Sequence, residues 1–197
     1  AEEVYPKNNV VTSTLFNDNV IFMSRDEPMY RYDGLGFKEI KAGSNPRPAF
    51  GVAIQRRFAI AGAPDKRTTI DISRVDEFGV FPDDEDAAAT AVTKAADINV
   101  ANIIGTADEI KGLGVFENNR LAVFTNDQTV VYSLHPDYTQ WTIDDKANVK
   151  VGTISHNTIT PAGSDLMFCS RDGVHSLRRS DTNGVPTVSY THLRAHE

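Results

Sequence analysis

The 197-residue sequence predicts an all-β fold, and three observations predict it. An apolar strand, a tight polar turn and a second apolar strand recur four times along the chain. The second strands begin at Val20, Phe58, Leu121 and Leu166, so the first and third intervals match the roughly 40–50 residues of a four-stranded propeller blade. Val, Ile, Phe, Tyr and Thr dominate the strands, while Gly, Asn and Asp occupy the corners. Together these observations predict a partial β-propeller of about four antiparallel blades.

Each repeat opens with a hairpin whose turn contains residues that tolerate the positive φ of tight turns. In the second repeat that turn is Gln55-Arg56-Arg57. The predicted hairpin strands are Thr12–Phe16 and Val20–Met23, Phe50–Ile54 and Phe58–Ala61, Leu113–Phe116 and Leu121–Phe124, and Ile154–Ile159 and Leu166–Cys169.

Each blade needs two further strands, and most of the candidates follow their hairpins directly. They are Met29–Tyr32, Phe37–Ile40, Thr68–Ser73, Thr129–Leu134, Gln140–Ile143 and Val174–Leu177. The blades therefore lie near residues 10–42, 48–81, 102–145 and 150–180. Residues 82–101, an acidic run followed by an Ala-rich stretch, break the pattern and are interpreted as an excursion that could hold one helical turn. Ala107–Lys111 could form a second turn.

A short motif repeats within this framework. Phe22–Asp26 and Phe168–Asp172 both have the form Phe-x-Ser-Arg-Asp, and each begins in the second predicted strand of its unit. Agreement in both residue identity and position within the unit indicates that the first and fourth units are true repeats.

Composition and chain ends restrict the possible functions. The formal net charge is −7, which disfavours a dedicated nucleic-acid binder. No apolar run reaches the roughly 18–20 residues of a membrane helix, so we expect no membrane span. Cys169 is the sole cysteine, so an internal disulfide is impossible. Residues 189–197 resemble a translated sequencing-adapter remnant and are interpreted as an artefactual tail, and residues 1–188 as an internal fragment of a longer propeller protein.

Several acidic residues, Cys169 and two glycine pairs are candidates for catalysis or ligand binding. The acidic run Asp83–Asp86 could bind a divalent cation, but its spacing matches no calcium loop, and a solvated surface is the simpler interpretation. Asp71 and Asp76 could serve a propeller glycosidase, which needs two carboxyls roughly 5–9 Å apart. Cys169 is expected to be a buried, inert thiol. The glycines of Gly34–Gly36 and Gly112–Gly114 are interpreted as turn or bulge residues.

The remaining candidates are histidines, basic residues and aromatic residues. His135, His156 and His175 lack metal-ligand spacing, and His192 and His196 fall in the suspect tail. A strand would point the neighbours Ser155 and His156 to opposite faces, which disfavours a triad. The basic residues could contact phosphate, but they are interpreted as solvated turns or subunit contacts: Arg56, Arg57, Lys66, Arg67, Arg178 and Arg179. The aromatics that could form a binding groove are Tyr30, Tyr32, Tyr132, Tyr138 and Trp141. No catalytic, cofactor-binding or metal-binding residue is assigned.

Three stretches resemble blades of one family. Ala107–Leu134, with a Gly-Leu start, two strands and an aromatic strand, resembles a blade of the tail nozzle proteins of short-tailed bacteriophages, the tail tubular protein B type. Val151–Leu177, with a Gly near its start, resembles the blade that follows, and Thr68–Phe81 resembles the preceding blade end. The packaged-DNA stabilisation proteins of such phages share these blades.

The resemblance implies a structural virion protein without catalytic residues or cofactors. It implies a homo-oligomeric ring at the phage tail that surrounds the DNA exit channel, is assembled in the host cytoplasm and contacts other tail or portal-adaptor proteins. Double-stranded DNA would pass without sequence-specific binding, which an acidic channel would favour. The alternatives are a glycan- or protein-binding propeller module and, less favoured, a propeller glycosidase or lyase.

Overall fold

A computed structural model describes residues 5–6, 8–41, 46–84, 89–105, 107–117, 119–144, 149–179 and 186–191, with Arg179 and the last six described by their backbone alone. These residues form four antiparallel sheets of four strands each, and every sheet takes its strands in chain order. Such sheets are the blades of a partial β-propeller. The predicted fold class is therefore confirmed.

The chain divides into two compact units. Unit 1 comprises residues 1–109 and 136–139, and unit 2 comprises residues 110–135 and 140–197. Unit 1 holds sheet 1, formed by β1 (Thr12–Phe16), β2 (Asn19–Met23), β3 (Tyr30–Tyr32) and β4 (Phe37–Glu39), and sheet 2, formed by β5 (Phe50–Ile54), β6 (Arg57–Ala61), β7 (Thr69–Ile72) and β8 (Ala96–Asn99).

Unit 2 has the same organisation. Sheet 3 is formed by β9 (Gly112–Phe116), β10 (Arg120–Phe124), β11 (Thr129–Ser133) and β12 (Thr142–Ile143), and sheet 4 by β13 (Thr160–Ala162), β14 (Asp165–Ser170), β15 (Gly173–Arg179) and β16 (Pro186–Thr191). The described helices are α1 (Ala101–Ile104) and the 3-10 turns Pro82–Asp84, Tyr138–Gln140 and His156–Thr158. None of these helices has the length and hydrophobicity that crossing a bilayer requires.

Most predicted strands are present, and three assignments need correction. Residues 154–159 are not a strand: the Ser155 side chain accepts a hydrogen bond from the Asn157 backbone N–H and starts a 3-10 turn, so the first strand of sheet 4 begins at Thr160. The interval 82–101 is not only an excursion, because it supplies β8. The short helix is α1, not Ala107–Lys111.

Strand β16 pairs with β15 along its whole length. It includes Ser189–Thr191, the first three residues of the predicted artefactual tail, whereas residues 192–197 lie outside the described part of the chain.

The Phe-x-Ser-Arg-Asp motif occupies the same corner in sheets 1 and 4. In both sheets the motif Phe lies in the second strand, and Arg and Asp lie in the connection to the third. The connection differs in length, because β14 turns into β15 through Arg171 and Asp172 alone.

Within each unit the two sheets pack face to face around one apolar core. The core of unit 1 consists of Phe16, Ile21, Met23, Met29, Ile40, Phe58, Ile60 and Phe81. The core of unit 2 consists of Phe116, Ala122, Phe124, Val131, Val151, Leu166, Phe168 and Leu177. Burial of side chains of this size contributes roughly 1.5–3 kcal/mol each.

The prediction that Gly112–Gly114 forms a turn or bulge is wrong. These residues open strand β9, and Gly114 lies where sheet 3 approaches sheet 4. A Cβ at Gly114 would lie 2.5 Å from Leu166 Cδ2, closer than real side chains come. Glycine is therefore needed here for close packing of the sheets, whereas Gly34 does occupy a turn, with a φ of +88°.

Candidate functional site

A polar cavity in unit 1 is the best-defined candidate site among the described residues. Its volume is about 340 Å³, and it lies between the segment after β6 and the turn that follows β7. Lys66 lines the cavity, and its Nζ is 3.1 Å from Asp71 Oδ2 and 2.8 Å from Asp83 Oδ2. The cavity is lined by Pro46, Arg47, Ala63, Pro64, Asp65, Lys66, Asp71 and Asp83.

Burial and charge act in opposite directions on this cluster. Burial raises the pKa of Asp71 above its usual value, and the Lys66 ammonium only partly offsets that effect. Burial would lower the pKa of Lys66, but its hydrogen bonds to Asp83 and Asp71 outweigh burial and raise it. Burial therefore dominates the pKa of Asp71 but not that of Lys66, because the Lys66 side chain is 33% exposed and that of Asp71 only 7%.

The sequence could not show this grouping, because its members come from separate segments. Asp71 belongs to β7, Lys66 to the loop before it and Asp83 to a 3-10 turn. Asp97 of β8 also lies directly opposite Asp71 in the sheet and raises the pKa of Asp71 further. The lysine therefore pairs with two carboxylates, those of Asp71 and Asp83, while Asp97 acts on Asp71 from the neighbouring strand.

The structure does not bring together the two carboxylates considered for glycosidase chemistry. Asp76 is absent from the residues that line the Lys66 cavity, and its carboxylate pairs with the exposed guanidinium of Arg56. Asp71 pairs with Lys66 instead. Each carboxylate thus has its own cation, and the two do not face each other across a shared cavity.

The acidic run is described only in part. Asp83 contacts Lys66, and Asp84 Oδ2 accepts a hydrogen bond from the Phe81 backbone N–H, while Glu85 and Asp86 lie outside the described residues. In the part of the chain that the structure describes, no three His, Cys, Asp or Glu side chains are grouped as metal ligands.

His156 belongs to the packing of unit 2. Its Nδ1 accepts a hydrogen bond from the Leu113 backbone N–H at 3.3 Å, which links the 3-10 turn to β9. Burial lowers the pKa of His156 from 6.5 to about 4. The neutral imidazole is therefore the form that fits the folded protein at neutral pH.

We expect His156 to make folding stability pH-dependent below neutrality. The folded pKa is about 4 and the unfolded pKa 6.5, so the unfolded chain binds more protons between these values. The contribution of His156 to the free energy of unfolding should therefore fall as the pH drops from 6.5 towards 4 and stay constant below 4. Urea denaturation at pH 7 and pH 5 measures this fall, and His156→Gln should reduce it. An equal fall in both proteins would contradict the assignment.

The other candidate nucleophiles and bases have structural partners. His175 Nε2 and Ser170 Oγ are 2.7 Å apart, and the His175 ring stacks on Phe168. Burial lowers the pKa of His175. His135 accepts a hydrogen bond at its backbone oxygen from Trp141 Nε1. Cys169 is only half-buried, so the prediction of a buried thiol is wrong.

Arg57 has a structural role that its sequence context does not reveal. Arg57 is the first residue of β6, its side chain is only 2% exposed, and the prediction that it lies in a solvated turn is wrong. The reason is the turn: Gln55 and Arg56 alone have positive φ and complete a two-residue hairpin. The Arg57 guanidinium donates to the backbone oxygens of Ser73 (3.0 Å), Val92 (2.7 Å), Lys94 (2.6 Å) and, more weakly, Pro136 (3.4 Å).

The other basic residues pair with acidic side chains. Arg67 pairs with Glu109, and Arg178 pairs with Asp165. Burial opposes the lowering of the Asp165 pKa, but hydrogen bonds from Arg178, Ser176 and Ser164 lower it below its usual value. The structure describes only the backbone of Arg179.

The aromatic candidates do not share one groove. Tyr30 and Tyr32 lie on one face of sheet 1. On that face the ring of Tyr5 contacts Tyr30, and the ring of Phe37 contacts Tyr32. Tyr132 is buried in sheet 3, and burial raises its pKa to about 12. Tyr138 and Trp141 are half-buried, and among the described residues Tyr32 and Phe37 form an exposed aromatic pair on sheet 1.

Comparison with known proteins adds information about the fold only. No protein-family model and no curated protein matches the chain. Among solved structures, the computationally designed Ika4 protein is similar at 11% identity with a TM-score of 0.50, over 90% of this chain and 98% of that chain. BamB from Moraxella catarrhalis has 12% identity and a TM-score of 0.42, over 94% of this chain and 63% of that chain. YCF48 from Cyanidioschyzon merolae has 10% identity and a TM-score of 0.49, over 92% of this chain and 59% of that chain. The chain thus spans less than two thirds of the last two proteins, and such low identities carry no function.

Proposed function

We propose that the chain is part of a non-catalytic structural subunit of a bacteriophage tail. In this role it belongs to a nozzle or head-to-tail closure ring around the DNA exit channel. The subunit contacts copies of itself and other tail or portal-adaptor proteins, and DNA passes it without sequence-specific binding.

The observation that carries the proposal is that each nozzle-like stretch covers consecutive strands of a single sheet. The stretch 107–134 contains β9, β10 and β11, which are consecutive strands of sheet 3. The stretch 151–177 contains β13, β14 and most of β15, consecutive strands of sheet 4. The family resemblance implies one blade for each stretch, and the strand boundaries agree with that expectation.

The use of polar side chains also supports a structural role. Arg57 joins β6 to the backbone at Ser73 and at residues 92–94 of unit 1, and Thr129 Oγ1 donates to Val151 O at 2.6 Å within unit 2. Lys66 pairs with Asp71 and Asp83. Buried polar groups of this kind stabilise one arrangement of the backbone.

Net charge supports passage of DNA without retention. The chain carries a formal charge of −7, and binding to the DNA backbone depends on Lys and Arg that displace counterions. We therefore expect purified protein to leave the mobility of double-stranded DNA unchanged even at low salt, where electrostatic binding is strongest.

Location in virus particles tests the proposal directly. Antibodies raised against the purified chain should label one end of short-tailed particles from the virus fraction of the source sample. Reading frames beside the gene should encode a portal, capsid or tail protein. Recovery of the protein only from cell fractions without virus particles would contradict the proposal. A gene that lies among metabolic genes would also contradict it, and so would tight binding of the protein to DNA.

A further inference from the structure

Neighbouring sheets meet in the same way in both units. In each unit, the face of the first sheet that contacts the second sheet is called a leading face, and the face of the second sheet in that contact is called a trailing face. The opposite face of each sheet takes the other name. In unit 1 the leading face of sheet 1 packs on the trailing face of sheet 2. The rings of Phe16 and Phe58 are 5.6 Å apart, and a Cβ on Gly51 would lie 3.0 Å from Met23 Sδ.

Unit 2 repeats this contact between sheets 3 and 4. The rings of Phe124 on the leading face of sheet 3 and Phe168 on the trailing face of sheet 4 are 4.8 Å apart. Gly114 on the same leading face lies against Leu166.

Counting along the second strand shows which positions make the trailing face. The second residue is Val20 in β2, Phe58 in β6 and Leu166 in β14, and the fourth is Phe22, Ile60 and Phe168. In sheets 2 and 4 all four of these side chains are buried under the preceding sheet. The Phe of the repeated motif therefore marks a position that contacts a preceding sheet.

On sheet 1 the trailing face is apolar and lacks a covering sheet among the described residues of unit 1. Strand register places Leu15, Val20, Tyr32 and Phe37 in one row across its four strands. Leu15 is 67% exposed, Phe37 53% and Tyr32 37%. Tyr5 contacts Tyr30, farther along the same face. Apolar side chains in a row of this kind mark an interaction surface.

Sheet 4 offers the complementary surface, its leading face. Thr160, Ala162, Met167 and Cys169 lie there, the first two exposed and the last two half-buried. Thr160 occupies the position of Thr14 in sheet 1, counted from the hairpin turn. The Thr14 hydroxyl donates to Gly51 O at 2.7 Å across the contact in unit 1, so Thr160 has the same donor available.

We propose that the trailing face of sheet 1 binds the leading face of sheet 4 of a second copy of this chain. The contact reproduces, between copies, the sheet contact found inside each unit. It is head to tail, so each copy offers one face and accepts the other, and repeated contacts of this kind generate a ring when the rotation closes. The inference rests on strand register and exposure and goes beyond the proposed function, because it specifies the two surfaces.

The register also predicts which residues meet across the contact. Ser13 occupies the position of Gly51, and Cys169 occupies the position of Met23. Since Gly51 and Met23 touch in unit 1, Ser13 of one copy should lie beside Cys169 of the next. Ser13 is exposed, so Ser13→Cys should not disturb the fold.

Crosslinking of Ser13→Cys by a short bismaleimide tests the proposal. We expect the full-length variant to give covalent dimers and larger multiples of the chain mass on denaturing gels. Ser13→Cys combined with Cys169→Ser should remain monomeric on the same gel, and so should the unsubstituted chain, which has Cys169 alone. A variant that forms no more dimer than these two controls would overturn the proposal.

A second measurement does not depend on the thiols. Light scattering after size exclusion should show oligomers of the unsubstituted chain, and Leu15→Glu should shift them to monomers. Val92→Glu, an exposed apolar residue outside the four sheets, is the matched control and should leave the oligomers intact. A monomeric unsubstituted chain, or equal behaviour of the two variants, would overturn the proposal. Neither result would affect the labelling of virus particles, so failure of this inference is distinguishable from failure of the proposed function.

Discussion

Replacement of Arg57 by methionine should destabilise the protein by about 3–5 kcal/mol. Methionine keeps the buried volume approximately but cannot donate hydrogen bonds. The backbone oxygens of Ser73, Val92 and Lys94 would each lose a charged donor in an environment that is largely closed to water. Because small proteins are stable by only about 5–15 kcal/mol, the effect should be a large downward shift of the urea midpoint measured by circular dichroism.

Arg56→Met is the matched control for this prediction. Arg56 is the preceding residue in the chain, and its exposed guanidinium pairs with Asp76 on the surface. Exposed ion pairs contribute little to stability, so this variant should keep the midpoint of the unsubstituted protein. Equal midpoints for Arg57→Met and Arg56→Met would contradict the structural role of Arg57.

Gly152→Ala should have the second large effect, a loss of about 3 kcal/mol in the free energy of unfolding. A Cβ at this position would lie 2.5 Å from Asn126 O and closer still to Thr125 O. These are backbone atoms next to β10, so a side-chain rotation cannot relieve the overlap. The backbone of unit 2 would have to move, with strain in the hydrogen bond from Thr153 N to Thr125 O. Thermal or urea denaturation measures the loss.

Gly36→Ala provides the comparison for Gly152→Ala. No atom lies within 4 Å of a Cβ built on Gly36, so the added methyl group should be tolerated. If the two alanine variants denature at the same urea concentration, close backbone approach at Gly152 is not the reason for its glycine.

Alternation of apolar residues and turn chemistry were sufficient to predict the blades, and the errors have physical causes. In sheet 2 a three-residue turn was predicted where Gln55 and Arg56 make a two-residue turn. Residues with longer side chains rarely adopt positive φ, so the sequence favoured the longer turn. The shorter turn pairs Ile54 with Arg57 instead of Phe58, so Arg57 belongs to strand β6 and not to a solvated turn.

Strand β8 was missed although its signal is present. Ala96 and Ile98 are buried while Asp97 and Asn99 are exposed, the alternation expected of a half-buried strand. The acidic and Ala-rich segment before it made the whole interval resemble an insertion. The predicted strand over residues 154–159 failed because a local Ser155 side-chain hydrogen bond competes with strand pairing.

The polar cavity and the open face of sheet 1 could not be predicted from sequence. Lys66, Asp71 and Asp83 meet only because a loop, a strand and a 3-10 turn converge. Leu15 and Phe37 look like ordinary strand residues in the sequence, and only the register across four strands shows that they form one exposed row.

The central claim is that packing of sheet faces, rather than reactive side chains, performs the function of this chain. An electron-microscopy map of the purified, assembled protein tests this claim most directly. We expect closed rings of four-stranded antiparallel blades in which sheet 4 of one copy covers Leu15 and Phe37 of the next. A map in which these two side chains stay in solvent, or in which copies associate through other surfaces, would contradict the account.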